Sequence, residues 1–324
     1  MLRARGLART FHTKQATVEA VRGVDIDVGA GEIVGFLGPN GAGKTTTLRM
    51  LTTLLAPTAG EATVAGCDLR RAPADVRRRI GYVAQSGGVD PTLPVAEELV
   101  SQGEFYGLPG AEARRRAAAL AERFGLANVM KRQGLTLSGG QRRRMDLALG
   151  LVHRPRLLFL DEPSTGLDPA GRAGLWDHIR SLRADDGMTV FCTTHYLDEA
   201  DALCDRVLII DDGAIIAEGA PEELKRKLSG DAIIVDLHPG DGEGTADTAA
   251  GVLRGRPEVT SVAAEPPDPG GGVRLRVAVA SGDRALSAVV LALDAAGVRP
   301  AAVHLALPTL DDVFLTLTGR RSEA

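Results

Sequence analysis

The sequence predicts an α/β protein followed by a smaller α+β domain, and three observations lead to this prediction. First, the apolar run Glu32 to Leu37 is followed at once by a glycine-rich loop and then by a helical pattern that begins at Thr45. Second, the bulky apolar run Leu157 to Leu160 ends in two acids. Third, the composition changes after residue 228 toward Ala, Gly, Pro and Val. Strand, loop and helix in this order are typical of an open α/β sheet.

The loop after the first run has the spacing of a phosphate-binding loop. Gly38 is followed, after four other residues, by Gly43, Lys44 and Thr45. Glycines let successive backbone amides turn toward one anion, the lysine reaches the β- and γ-phosphates, and the threonine offers its hydroxyl to Mg²⁺. The helix that follows points its N-terminus at the same anion. The loop therefore predicts binding of a nucleoside triphosphate; the alternative is a glycine turn that matches by chance.

Two acids follow the second apolar run. Asp161 and Glu162 emerge from the C-terminal end of a buried strand, where ligands bind in open α/β sheets. Beside the phosphate loop, Asp161 is the expected Mg²⁺ holder. Glu162, one residue on, points elsewhere and could orient or deprotonate an attacking water. The alternative is that both acids only begin a turn before Pro163.

A second anion site is predicted at Ser138 to Gln141, just before the helical pattern Arg142 to Val152. A serine and two glycines at a helix start offer backbone amides, a hydroxyl and the positive end of the helix. One chain cannot easily fold both anion sites onto a single γ-phosphate. We therefore predict a head-to-tail two-fold dimer in which the Ser138 region of each subunit closes over the nucleotide held by Lys44 of the other.

Five motifs together resemble those of the ATP-binding cassette ATPases. They read "GPNGAGKTT", "LSGGQ", "LLFLDEP", "STGLD" and "TTHYLDEAD", and the resemblance covers roughly residues 1 to 228. It implies a P-loop NTPase fold with a RecA-like core, an antiparallel β subdomain and a helical subdomain. It also implies ATP and Mg²⁺ as cofactors.

The resemblance implies further site residues. Gln85 touches Mg²⁺ and the attacking water and senses a membrane partner, Asp168 lies in the loop that crosses the dimer seam, and Phe11 stacks on adenine. His195 contacts the γ-phosphate, although an isolated histidine at a strand end is more often structural. The implied catalytic residues are Glu162, His195 and Gln85, and the implied metal contacts are Thr45, Gln85 and Asp161. The implied nucleotide-binding set is Phe11, Gly38, Pro39, Asn40, Gly41, Ala42, Gly43, Lys44, Thr45, Thr46, Ser138, Gly139, Gly140, Gln141 and Asp168.

Residues 86 to 136 are predicted to be rich in helix, with "AEARRRAAALAERFGLA" as an amphipathic helix. This segment resembles the helical subdomain of the family, which meets a transmembrane partner. The alternative is a plain helical insert that faces solvent.

Residues 229 to 324 are predicted to form a separate domain. The pattern gives strand 232–238, helix 246–254, strands 259–265 and 272–280, helix 284–296 and strand 299–307. This order predicts a small ferredoxin-like βαββαβ domain. In its final helix an apolar stripe is formed by Leu310, Val313, Phe314 and Leu317. We expect the stripe to hold two subunits together or to dock a permease; the alternative is packing within its own domain.

The tail "LPTLDDVFLTLTGR", residues 307 to 320, resembles the C-terminal signature of the daunorubicin/doxorubicin-resistance ATP-binding subunits and their export relatives. The resemblance implies the ATPase of a bacterial exporter of a drug, antibiotic or other hydrophobic compound. It further implies a separate multi-span permease and a peripheral location on the cytoplasmic face of the membrane. The alternatives are another cassette transporter, for import or for lipid or polysaccharide export, and a non-transport cassette protein.

Composition limits the other possibilities. The 324 residues are 44% hydrophobic and 25% charged with a net charge of −4, which disfavours a nucleic-acid binder. Short arginine triplets, such as the one from Arg142 to Arg144, are interpreted as solvated helix faces. No apolar run reaches the roughly 18 residues of a membrane span. Three cysteines far apart in the chain, Cys67, Cys192 and Cys204, predict neither a disulfide nor a zinc site.

Overall fold

The computed structural model describes residues 1–12, 16–228, 231–238, 242–265, 272–279, 281–306 and 309–319. The chain falls into two compact units, Met1–Pro221 and Glu222–Ala324. The boundary lies at the start of the helix Pro221–Leu228, whereas the sequence places it at the end of that helix. The predicted boundary lies later than the one in the structure because the change in composition begins only after the helix.

The first unit is built from two sheets and the helices that surround them. In chain order its elements are β1 (Leu2–His12), β2 (Thr17–Val28), β3 (Ile33–Leu37), α1 (Lys44–Leu51), β4 (Ala59–Val64), β5 (Cys67–Asp68), α2 (Pro73–Arg79), β6 (Ile80–Val83), α3 (Val95–Phe105), α4 (Gly110–Arg123), α5 (Gly139–Leu151), β7 (Leu157–Asp161), α6 (Pro169–Asp186), β8 (Thr189–Thr194), α7 (Leu197–Leu203), β9 (Arg206–Asp211) and β10 (Ala214–Gly219). Short 3-10 turns lie at Ala127–Val129 and Gly134–Thr136.

The main sheet has the strand order β10-β9-β3-β8-β7-β6. Strands β9, β3, β8, β7 and β6 run parallel, and β10 closes the edge in the antiparallel direction. Every residue of β3, β7 and β8 is buried, as is typical of parallel strands covered on both faces. The carboxyl ends of β3, β8, β7 and β6 are neighbours, so the loops that follow these four strands converge at one edge.

The second sheet is antiparallel, with the order β2-β1-β4-β5. A continuous core joins Leu7 and Ile26 of this sheet to Met50 of α1 and to the aromatic residues of the main sheet. Among these, the ring of Phe191 lies 5.6 Å from Phe36 and 5.8 Å from the ring of Phe159, measured between centroids. The glycine loop therefore rests on a close-packed base.

The helix-rich segment consists of α3 and α4, which pack on each other and on α5. Helix α4 buries Ala113, Ala117, Leu120 and Ala121 and turns the first two arginines of its triplet outward, which is the amphipathic pattern predicted for it. None of the described helices has the length and apolar character needed to span a bilayer.

Two cysteines that are distant in the sequence are neighbours in the structure. The Sγ atoms of Cys192 in β8 and Cys204 after α7 lie 3.8 Å apart, and both thiols are free and buried. Their separation in the chain gives no sign of this contact, which arises because α7 returns the chain to the strand it has just left.

The second unit forms a four-stranded antiparallel sheet. From the helix that precedes it, its elements are α8 (Pro221–Leu228), β11 (Asp231–Asp236), α9 (Gly242–Arg254), β12 (Val259–Glu265), β13 (Arg274–Val279), α10 (Gly282–Ala295), β14 (Ala302–Ala306) and α11 (Leu310–Thr318). The strand order is β12-β13-β11-β14, with every neighbouring pair antiparallel. This is the split βαβ order of a ferredoxin-like domain, as the sequence predicts. Residues such as Ile233, Leu253, Val277 and Leu293 form its core.

The apolar stripe of α11 is not a free surface. Leu310, Val313 and Phe314 are 2%, 0% and 7% exposed within the chain, and Leu317 is half-buried. The expectation that these side chains hold two subunits together or dock a permease is therefore wrong. The hydrophobic pattern of a helix shows that one face is apolar, but it does not say whether the chain itself will cover that face.

Candidate active site

The glycine loop connects β3 to α1 and is shaped for an anion. Gly41 and Gly43 have φ angles of 85° and 105°, in the left-handed region that favours glycine. A Cβ atom on Gly43 would lie 2.5 Å from the Ala20 carbonyl oxygen, so no other residue fits there. Because α1 begins at Lys44, the free amides of its first turn face the loop.

The lysine of the loop is buried inside it. The Nζ atom of Lys44 donates to the carbonyl oxygens of Gly38 at 2.8 Å and Pro39 at 3.0 Å. It also lies 3.6 Å from Glu162 Oε1. Burial lowers the pKa of Lys44, and the carboxylates of Glu162 and Asp161 oppose this shift. A buried cation held mainly by neutral carbonyls is well placed to accept phosphate oxygens as stronger partners.

Two hydroxyls converge on the aspartate at the end of β7. The Oδ1 atom of Asp161 accepts hydrogen bonds from Thr45 Oγ1 at 3.1 Å and from Thr193 Oγ1 at 2.7 Å. Mg²⁺ prefers hard oxygen ligands and is commonly held by one or two carboxylates together with substrate phosphates. The adjacent oxygens of Thr45 and Asp161, beside the loop that Lys44 completes, therefore fit a nucleotide-bound Mg²⁺.

Glu162 lies at the centre of the site on a strained backbone. Its φ angle is 43°, and its amide donates to both the carbonyl and the hydroxyl oxygen of Thr193, at 3.1 Å and 3.0 Å. Positive φ at a residue other than glycine costs energy and persists where the surroundings fix it, often at functional sites. These bonds hold the glutamate in one orientation.

Three side chains lie around the Oε2 atom of Glu162, whose carboxylate is buried. Its Oε2 atom accepts from Gln85 Nε2 at 2.8 Å and from Thr165 Oγ1 at 3.3 Å. His195 Nδ1 approaches the same oxygen to 3.2 Å, without the alignment of a hydrogen bond. The structure thus brings Lys44, Asp161, Glu162, Gln85 and His195 together from the ends of β3, β7, β6 and β8.

The second predicted anion site is exposed. Ser138 caps α5: its Oγ accepts from the Gln141 amide at 3.3 Å, while its own amide donates to Gln141 Oε1 at 3.0 Å. A Cβ atom on Gly139 or on Gly140 would meet nothing within 4 Å, so the helix start is open. Asp168 caps α6 by accepting from the Gly171 amide at 2.7 Å.

Phe11 lies in β1, where it pairs with Val18 of β2. The guanidinium of Arg9 covers its ring at 4.6 Å from the centroid. The structure therefore gives this ring a cation as its neighbour. Residues 13–15 of the segment that follows lie outside the described residues.

Comparison with known proteins decides the family. A family model described as ABC transporter matches residues 21–165. Daunorubicin resistance ATP-binding protein DrrA3 of Streptomyces coeruleorubidus is 45% identical over 303 residues, which are 93% of this chain and 92% of that relative. Linearmycin resistance ATP-binding protein LnrL of Bacillus subtilis is 34% identical over 320 residues, 99% of each chain. The chain belongs to the ATP-binding cassette (ABC) transporter family. It is an ATPase.

The solved structures agree with this assignment. A dimeric ATP-binding cassette in a post-hydrolysis state, bound to ADP and phosphate, matches with a TM-score of 0.63 and 26% identity. The match covers 68% of this chain and 98% of that one. The resistance proteins, in contrast, match nearly the whole length of this ABC subunit, including its second unit.

Sequence reasoning missed several residues of this ABC site. Thr193 holds both Asp161 and Glu162, and Thr165 contacts the Glu162 carboxylate. Thr193 could have been found, because it lies at the carboxyl end of a buried parallel strand, one residue before the last. Arg143 had no such signal. Its interpretation as part of a solvated arginine face is wrong, since it is 7% exposed and bonds to the backbone of the site.

Proposed function

We propose that the chain is the ATP-hydrolysing subunit of a bacterial exporter that removes a drug, antibiotic or other hydrophobic compound through a separate permease. The observation that carries this proposal is the similarity to resistance ATP-binding proteins over 93% to 99% of the chain. The second unit is included in that similarity, whereas the solved cassette covers only 68%. Names such as Nod factor export ATP-binding protein I, for a relative of Cupriavidus pinatubonensis that is 39% identical, also favour export.

The geometry suggests a role for each residue of the site. Lys44 and the amides of α1 bind the β- and γ-phosphates, and Thr45 and Asp161 hold Mg²⁺. When bound, Mg²⁺ neutralises charge on the phosphates. Glu162 accepts the proton of the attacking water, with Gln85 fixing the carboxylate. His195, on the third side of that carboxylate, contacts the γ-phosphate.

We further propose that two copies share each nucleotide. The Lys44 side of the site is densely bonded within one chain, whereas the Ser138 side is an exposed helix start with open space at Gly139 and Gly140. An exposed helix N-terminus with a free hydroxyl proton is a competent phosphate site. A head-to-tail pair places this group of one copy opposite Lys44 of the other.

A cavity beside the Gln85 segment is our candidate surface for the permease. Its volume is about 330 Å³, and its lining includes Ala84, Gly88, Glu98, Tyr106 and Asp146. The lining also includes Leu54, which is 58% exposed, and the chain neighbour of Tyr106, Phe105, is 84% exposed. Exposed apolar residues around a cleft mark interaction surfaces. A permease segment bound in this cavity would contact the backbone segment that carries Gln85. It would also hold the subunit at the cytoplasmic face of the membrane.

The role of the second unit is also a proposal. Its described residues carry no group resembling the active site, and we assign it to assembly of the transporter rather than to hydrolysis. Since the α11 stripe is buried, that role falls to other surfaces of the unit. The test is co-purification of the permease with a chain that ends at residue 228, compared with the full chain.

The exporter proposal is tested in cells. The chain is co-expressed with the membrane protein encoded beside it, and the retention of a fluorescent anthracycline is followed with time. Wild-type pairs should lower retention, and pairs that carry Glu162→Gln should not. Equal retention with both pairs, at equal expression, would reject export of anthracyclines and favour another transported compound or a non-transport role.

A further inference from the structure

Arg143 is a buried arginine on the second turn of α5, and it binds the backbone of the active site. Its guanidinium donates to the carbonyl oxygens of Pro163 at 2.6 Å, Ala84 at 2.8 Å, Asp161 at 3.3 Å and Glu162 at 3.4 Å. The planar fork of an arginine suits several acceptors held at fixed positions. One side chain therefore joins two separate segments of the site.

The two segments are those that carry Gln85 and Glu162. Ala84 directly precedes Gln85, and the other three carbonyls belong to the residues from Asp161 to Pro163. The side chains of Gln85 and Glu162 meet at 2.8 Å. Arg143 thus holds the backbones of both segments, while the side chains of Gln85 and Glu162 join the same two segments directly.

Asp146, one turn further along α5, extends this connection. Its Oδ2 atom lies 3.7 Å from Arg143 Nη1, and its Oδ1 atom accepts from the Gly88 amide at 2.7 Å. Gly87 has a φ angle of 75°, and a Cβ atom there would lie 2.8 Å from the Asp146 carboxylate. The segment from Ala84 to Gly88 is therefore held at both ends by α5.

The energetics favour a specific use for this pair. Burial lowers the pKa of Arg143 and raises the pKa of Asp146, so both charges are held against the cost of desolvation. Apolar residues of similar size often pack at least as stably as a buried ion pair. The four hydrogen bonds from Arg143 fix the positions of the carbonyl groups that accept them. A hydrophobic side chain could not do this.

We propose that Arg143 is a positioning residue for ATP hydrolysis, which fixes the Gln85–Glu162 contact and, with Asp146, ties it to the helix that begins at Ser138. It acts through the backbone and does not touch the nucleotide. In the proposed dimer, Ser138 of one chain faces the nucleotide held by its partner, whereas Gln85 and Glu162 of that chain face its own nucleotide. A movement of Ser138 would then be transmitted through α5 and Arg143 to Gln85 and Glu162. This last step rests on the proposed dimer; the positioning role does not.

The first test is steady-state ATP hydrolysis by Arg143→Gln and Arg143→Lys. We expect Arg143→Gln to lower kcat by about 10- to 100-fold while KM changes by less than about threefold, because geometry is lost and phosphate contacts are kept. Arg143→Lys keeps the charge but reaches fewer carbonyls, so its kcat should lie between that of the wild type and that of Arg143→Gln. The matched control is Arg116→Gln, which removes a half-buried arginine that donates to the Leu151 carbonyl away from the site and should keep kcat.

The second test needs no nucleotide and no activity. Hydrogen exchange of the peptide that covers residues 84–90 should speed up in Arg143→Gln and in Asp146→Asn, but not in Arg116→Gln. Asp146→Asn leaves the carbonyl contacts of Arg143 in place, so its exchange rate tests the proposal even if Arg143→Gln folds poorly. The proposal is overturned if thermal stability falls while kcat and exchange of this peptide stay at wild-type values. If the proposed dimer does not form, the exchange rates should be the same. The test therefore separates the positioning role of Arg143 from the dimer proposal.

Discussion

The two predicted anion sites of this ABC subunit differ in how far one chain completes them. Around Lys44 and Glu162, side chains that follow four strands contact one another at distances of 2.7 to 3.6 Å, and the lysine and both acids are buried. Around Ser138 and Asp168, the polar groups are exposed and each serves as the cap of its own helix. The first part is preorganised, and the second offers only an open helix end.

Under the proposed function, nucleotide binding and hydrolysis have separate structural requirements. The Lys44 part has the cation, hydroxyl and carboxylates needed to hold a nucleotide and Mg²⁺ within one chain. In the proposed dimer, the Ser138 part of the other copy would add a second set of phosphate donors. Changes on the first part should therefore alter chemistry within a chain, and changes on the second should act between chains.

The largest effect is expected for Glu162→Gln. The amide keeps the shape of the side chain but cannot take a proton, so hydrolysis should fall by about 10³-fold while ATP binding is retained. Phosphate release measures the first, and size-exclusion chromatography with ATP and Mg²⁺ should show a nucleotide-bound dimer. Glu61→Gln, at an exposed position of β4, is the control and should hydrolyse normally. Near-normal turnover by Glu162→Gln would remove this residue as the base.

A mixing experiment tests whether the two parts belong to different chains. Lys44→Ala should lose ATP binding, and Ser138→Arg should bind ATP but lose about 10²-fold in hydrolysis. In a heterodimer one composite site carries both changes and the other carries neither. An equal mixture should therefore recover up to about a quarter of wild-type activity. If both parts act within a single chain, the mixture will show no recovery.

A smaller effect is expected for Thr193→Val. The hydroxyl donates to Asp161 and accepts from the Glu162 amide, so its loss should cost about 1–3 kcal/mol of stability and lower kcat by about tenfold. Thr189→Val on the same strand removes a buried hydroxyl that accepts from the Gly31 amide, far from the site. It should lower stability in urea unfolding and leave kcat unchanged. Equal kcat values for the two variants would contradict the positioning role of Thr193.

The smallest effect concerns Glu199, a fully buried carboxyl behind the site that accepts from the Trp176 indole at 3.1 Å. Burial raises the pKa of Glu199, and the hydroxyls of Thr194 and Ser164 together with the indole oppose this shift. The unfolded chain therefore releases this proton at lower pH than the folded chain does. Stability should be fully present below the ordinary glutamate pKa and should fall as the pH rises toward the folded value.

Glu199→Gln should remove that fall. Its stability relative to wild type should increase between about pH 5 and about pH 8, by roughly 1.4 kcal/mol for each tenfold difference in proton affinity. Fluorescence of Trp176, the single tryptophan, follows urea unfolding of both proteins. Glu61→Gln again serves as the control. A constant difference between the two pH values would mean that Glu199 ionises equally in the folded and unfolded chains.

The sequence alone determined the parts of this protein that depend on short spacings. The phosphate loop, the acids after β7 and the helix start at Ser138 are each written within a few residues, and so is each of the six elements predicted for the second unit. Turn geometry, helix capping and strand periodicity are local, so their residue patterns survive in the sequence. The same reasoning gave the α/β character of the first unit.

Only the tertiary structure decided which of these parts meet and which side chains are buried. Gln85 reaches Glu162 because β6 pairs with β7, and Thr193 holds both acids because β8 pairs with β7 on the other side. Arg143 and the α11 stripe were misjudged because burial is set by elements distant in the chain. A helix pattern shows that a face is polar or apolar, but not what covers it, since the covering surface is fixed by the order of strands and the packing of helices.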